Sequence, residues 1–178
     1  MNILALTAAA LTLFGPATKD DVNALKLALA DERAAISLYE AVILKFGAEP
    51  PFSNIVRAER THAALVEDAM RKLDVPVPAD RGKAVDAPAS REEALETAIR
   101  AERENIALYD RLLRLDLSPE VRGTLETLQA ASRERHLPAF ERALARIRGG
   151  GFDGNRRSDP GQGQGGRRWR HGWGRTGR

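Results

Sequence analysis

The chain has 178 residues, 28 Lys and Arg against 25 Asp and Glu, and no cysteine. The absence of cysteine excludes disulfide frameworks, thiolate zinc sites, iron–sulfur clusters and cysteine nucleophiles, so any metal would have to be held by oxygen and imidazole. The net charge of +3 is unevenly placed: residues 149–178 carry seven arginines against Asp153 and Asp159, a local +5, which leaves −2 for residues 1–148. The basic character therefore belongs to a tail, and no specific nucleic-acid partner is expected of the body. A hydrophobic share of 43% is enough for a real core, and the length fits one domain with a tail. Only three histidines occur, His62, His136 and His171, and no Gly-x-Ser-x-Gly or phosphate-loop pattern is present.

Residues 1–17 contain an apolar run from Ile3 to Phe14, too short to span a bilayer and suited to the core of a signal peptide. Small residues, Gly15 and Ala17, flank Pro16 and fit cleavage after Ala17, although Met1 and Asn2 supply no basic n-region. The expectation is export to the periplasm or beyond; if the segment is instead an apolar first helix, the protein stays in the cytoplasm.

From residue 18 to 148 the pattern is four helices. The first is expected over Asp20–Phe46, ended by Gly47. The second runs over Phe52–Leu73 after Pro50-Pro51. The third begins after Ser90, with Glu93 completing a capping box, and ends near Leu115. The fourth begins at Ser118 with Pro119 in its first turn and runs to Arg148, with a kink expected at Pro138. Almost no strand is expected. Short links make helices one and two a hairpin, and three and four another. The Pro- and Ala-rich stretch Asp74–Ala89 can extend over ~50 Å, enough to run the length of a bundle. The expected fold is therefore all-α: a four-helix bundle of two antiparallel hairpins joined by one long crossover. Residues 149–178, rich in Gly, Arg and Trp, cannot build a core and are expected to be disordered.

Apolar residues three and four apart define one seam per helix. The first seam is Val22, Leu25, Leu29, Glu32, Ile36, Tyr39, Ile43. The second is Phe52, Ile55, Glu59, His62, Val66, Met70, Leu73. The third is Leu95, Ile99, Glu102, Ile106, Tyr109, Leu113. The fourth is Leu125, Leu128, Ser132, His136, Phe140, Ala143, Ile147. Carboxylates and imidazoles thus stand in the middle of every seam, where an unpaired charge is costly. Two explanations are open. Glu32, Glu59, His62, Glu102 and His136 could hold a metal, with oxygen and nitrogen donors suited to iron, manganese or zinc. Alternatively, the glutamates could pair with Arg33, Arg60, Arg103, Arg133 or Arg135 in a structural network. Residues 24–43 and 94–113 align at an offset of 70 with eight identities in twenty, among them Glu32/Glu102, Arg33/Arg103 and Tyr39/Tyr109, so the hairpins are pseudo-repeats. The two tyrosines read first as core aromatics; the other reading makes them hydrogen-bond partners or redox neighbours of a metal.

This pattern resembles the ferritin-like superfamily, whose di-iron members combine one Glu from each of two helices with a Glu-x-x-His from each of the other two. The correspondence is Glu32, Glu59-Arg60-Thr61-His62, Glu102 and Arg133-Glu134-Arg135-His136. More narrowly, Ala-Asp-Glu-Arg-Ala-Ala…Leu-Tyr at 30–39 and Ser-Arg-x-Arg-His-Leu-x-Ala-Phe at 132–140 look like the branch catalogued as domain of unknown function 2202. The resemblance implies an iron or manganese site and, if the protein is an enzyme, ferroxidase- or peroxide-type oxidoreductase chemistry. No organic cofactor motif is present. The departure is Arg133, which stands where the pattern has Glu; Glu134 is one residue away, turned ~100° around an α-helix. The site could be mononuclear, be dinuclear with help from Glu134 or water, or be abandoned with its glutamates paired to Arg133. The alternative from another class is a non-enzymatic interaction bundle. In the tail, arginine mixed with Trp169 and Trp173 would suit RNA in the cytoplasm and an anionic lipid or polysaccharide surface after export; His171 is isolated and is not counted as a ligand.

Overall fold

The computed structural model describes residues 16–79 and 82–150; the expected leader up to residue 15 and the tail beyond residue 150 lie outside them. Among the described residues every regular element is helical: α1 (Lys19–Phe46), α2 (Phe52–Lys72), α3 (Arg91–Leu112), α4 (Pro119–Ala131), a π-helical turn (Ser132–His136) and α5 (Leu137–Arg148). The last three form the expected fourth helix. None of the described helices is long and apolar enough to cross a membrane.

Helix α1 starts at a capping box absent from the sequence expectations. Thr18 Oγ1 accepts from the Asp21 N–H while the Asp21 carboxylate accepts from the Thr18 N–H. Asp21 is fully buried, and its second oxygen accepts from Ser118, both N–H and hydroxyl. One carboxylate thereby ties the start of α1 to the start of α4. At Ser90 only half of the expected box forms: Ser90 Oγ accepts from Glu93 N–H, but the Glu93 carboxylate accepts from Ala89 N–H instead. Gly47 ends α1 with φ +97°, a conformation that favours glycine.

Helices α1 and α2 pack as one hairpin, and α3 packs against α4, the π turn and α5 as the other. The crossover lies along α1. Arg33 donates to Pro78 O, Lys45 donates to Pro88 O, and a Cβ at Gly82 would stand 3.1 Å from Arg33 O. Val75, buried at its start, joins the core.

In the fourth helix, where a kink is expected at Pro138, the departure from α-helical geometry is the π turn Ser132–His136, immediately before the proline. Proline lacks an N–H and crowds the carbonyl four residues back. The Leu137 N–H bonds Ser132 O, five residues back, which opens the π turn just before the proline.

The core consists of two apolar clusters. One is built around Leu25, Leu29, Val66, Met70, Tyr109, Val121, Leu125 and Leu128. The other is built around Val42, Ile55, Leu95, Ile99 and the ring trio Tyr39, Phe52 and Phe140, whose centroids lie 5.1–5.7 Å apart. Between them lies a layer of buried polar side chains: Glu32, Glu59, His62, Glu102, Ser132 and His136. On α3 Asn105 and Leu112 are buried where Ile106 and Leu113 are expected; those two are only partly buried. Ile147, also expected inward, is 43% exposed.

Candidate metal centre

Each of the four packed helical rods contributes to the polar layer. Glu59 stands at its centre. Glu59 Oε2 lies 2.8 Å from His62 Nδ1, and Glu59 Oε1 lies 2.9 Å from His136 Nδ1. The two imidazole rings stack 5.4 Å apart. Each histidine also faces one outer glutamate: His62 Nδ1 is 3.5 Å from Glu32 Oε2, and His136 Nδ1 is 3.7 Å from Glu102 Oε2. The layer is therefore two near-equivalent halves, each with one Nδ1, one outer carboxylate and one oxygen of Glu59.

The tyrosines are more than core aromatics. Tyr109 donates its hydroxyl to Glu32 Oε1 at 2.5 Å, and Tyr39 donates to Glu102 Oε1 at 2.7 Å. The bonds cross between the pseudo-repeats, α3 to α1 and α1 to α3. Each ring is anchored in a different apolar cluster and fixes the outer oxygen of one glutamate, leaving the inner oxygen facing the histidines.

Burial and charge set the protonation of the metal-free layer. For Glu59 burial alone would raise the pKa, but His136 and His62, each with Nδ1 against one of its oxygens, outweigh it and hold the carboxyl near 2. For the histidines burial alone would lower the pKa. The carboxylates beside them, Glu32 and Glu59 for His62, Glu102 and Glu59 for His136, instead push each to about 9. Glu32 is raised to about 8, chiefly by burial, helped by the negative Glu59.

Four of the five arginines that could have neutralised these glutamates engage acids outside the layer. Arg33 pairs with Glu67, Arg60 with Glu40, Arg103 with Glu141, and Arg133 with Asp110, at 2.7–3.0 Å. Arg133 does not enter the layer: it is exposed, as are Glu134 and Arg135. The π turn is the reason. An α-helix turns 100° per residue; a wider turn advances less, so the residue three before His136 swings outward while the residue four before stays inward. Ser132, 1% exposed, and His136 share the buried face.

Sequence reasoning missed Asn105 and Asp31. Asn105 is buried and donates to the Asp31 carboxylate, leaving its own Oδ1 without a partner. Asp31, beside Glu32, has its pKa raised to about 6, mainly by burial, against the opposing Asn105 bond. An asparagine replacing an expected isoleucine in the seam gave no periodic signal.

The donor set fits a metal ion. Glu59, His62 and His136 each offer an atom within 4.8 Å of the others. Glu32 Oε2 and His136 Nδ1 are buried without a hydrogen-bond partner, the latter despite lying 2.9 Å from Glu59. Oxygen and imidazole without thiolate is the set expected of iron, manganese or zinc. A surface groove of about 810 Å³ between α3 and α5, floored by Ile99, Ala107, Leu144 and Ala145, includes none of these side chains.

No family model matches the chain, and no curated protein matches it. Solved structures do. A hypothetical protein of Methanococcus jannaschii superposes with a TM-score of 0.68 at 21% identity, over 75% of this chain and 85% of that one. The bacterioferritin of Mycobacterium tuberculosis superposes with a TM-score of 0.65 at 18% identity, over 76% and 90%. The chain has the all-α ferritin-like bundle fold, and within that bundle it carries a buried Glu/His group able to hold a metal ion.

Proposed function

We propose that this protein binds iron or manganese in the polar layer, through Glu32, Glu59, His62, Glu102 and His136, and has ferroxidase- or peroxide-type oxidoreductase activity. The observation that carries the reading is Glu59, whose two oxygens face two histidines, each backed by an outer glutamate locked by a tyrosine. Such an ion would supply one-electron exchange with dioxygen or peroxide. The chain's own part is to hold donors in place. Tyr39 and Tyr109 fix the outer carboxylates, and the two apolar clusters exclude water on either side. The histidines release their Nδ1 protons when they ligate, so metal uptake is coupled to proton release. The kinship with the branch of domain of unknown function 2202 rests on the two quoted motifs. Export, and contact of the tail with an anionic surface, are proposals resting on residues 1–17 and 149–178.

The test is elemental analysis of untagged protein, followed by titration of the metal-free protein with Fe(II) and Mn(II) and by assay of ferrous oxidation and peroxide consumption. Metal bound in wild type and lost in His62→Ala and His136→Ala supports the reading. Folded protein that binds neither ion would overturn it.

A further inference from the structure

The two halves of the layer differ in one residue. Glu32 answers to Glu102, Tyr109 to Tyr39 and His62 to His136, but the counterpart of Glu59 is Ser132. It sits on the same buried face as His136, at the start of the π turn. A serine hydroxyl occupies the place of a glutamate Cγ; what Ser132 lacks relative to Glu59 is a carboxyl group, the size of formate.

Charge points the same way. With both histidines neutral as ligands, the layer brings three carboxylates. Two dications leave it with a surplus of one positive charge, buried where uncompensated charge is costly. Nothing at hand removes the surplus. Ser132 is neutral, Arg133 and Glu134 lie outside, and Asp31 is partly exposed and held by Asn105.

Resting on the metal-binding reading, we propose that a second dication enters the layer together with a small monocarboxylate, which sits beside Ser132 and supplies the carboxyl group missing from that half. The first ion needs no such partner, because three carboxylates already exceed its charge.

The experiment is calorimetric titration of the full-length, metal-free protein with Mn(II) or Co(II), with and without formate. The first ion should bind with the same affinity in both. The second should tighten by about tenfold when formate is present at ten times its own dissociation constant. Ser132→Glu should bind the second ion without formate and lose the formate effect. Ser132→Ala adds neither bulk nor a carboxyl group and should retain that effect, which guards against misfolding of the larger replacement. Arg133→Glu, the counterpart by sequence spacing alone, should behave as wild type. Two ions bound with no formate dependence, one ion bound at every formate concentration, or a gain from Arg133→Glu in place of Ser132→Glu would each overturn the inference. Failure to bind any ion would overturn the metal-binding reading itself.

Discussion

Replacing Glu59 by glutamine keeps the shape of the side chain and removes the one charge that both histidines share. In the metal-free protein the Glu59 carboxylate lies 2.8 and 2.9 Å from the two Nδ1 atoms, and the side chain is only 3% exposed. Removing one member of such a buried pair costs about 3–5 kcal/mol, which for a bundle of this size lowers the melting temperature by about 10–20 °C. The pH dependence should change with it. In wild type, His62 and His136 are raised from 6.5 to about 9, so their stabilisation is complete below about pH 6.5 and is lost as pH rises through 9. Glu32, raised from 4.5 to about 8, keeps a proton in the folded state and adds to the fall between those values. Glu59, lowered from 4.5 to about 2, stabilises above pH 4.5 and loses its contribution only as pH falls through 2. The metal-free protein should therefore lose stability steadily between about pH 6.5 and 9. Glu59→Gln should flatten that slope, because Glu59 contributes to all three raised values. The assay is thermal denaturation monitored by circular dichroism at several pH values, with chelated protein and with added Mn(II). A melting temperature unchanged by the substitution, or an equal slope in both proteins, would refute the central role of Glu59.

Added Mn(II) should restore wild-type stability at pH 9, since an ion takes over from the departing protons and binds only the folded form; thermal melts with and without Mn(II) check this. Arg133→Glu breaks an exposed pair with Asp110, so the melting temperature should change by no more than the equivalent of about 1 kcal/mol, with Mn(II) affinity unaltered by titration. Tyr109→Phe removes a buried donor to Glu32, and Tyr39→Phe one to Glu102; each should cost about 1.5–3 kcal/mol. Each should also free an outer oxygen to bind, altering the Co(II) absorption spectrum, which a purely structural role would leave unchanged. Phe140→Ala empties the centre of the aromatic trio and should cost about 3–5 kcal/mol, read by denaturant melts.

The residues that make this bundle were legible in the amino-acid sequence because the period of an α-helix is fixed by its own backbone hydrogen bonds. Apolar residues at spacings of three and four mark the seams, and charged residues in mid-seam are conspicuous where burial makes them costly. That sufficed for the helices, the two hairpins, the crossover, and the gathering of Glu32, Glu59, His62, Glu102 and His136 in one layer. What the period could not supply is whatever depends on a departure from it or on a partner from another helix. The π turn is such a departure: it moves the hydrogen-bond register from four residues to five and turns Arg133, three residues before His136, into solvent, while Ser132, which the seam already held, stays on the buried face. The crossed bonds of Tyr39 and Tyr109, and the Asn105–Asp31 bond, join atoms from helices far apart in sequence, and only tertiary packing brings their donors and acceptors within reach.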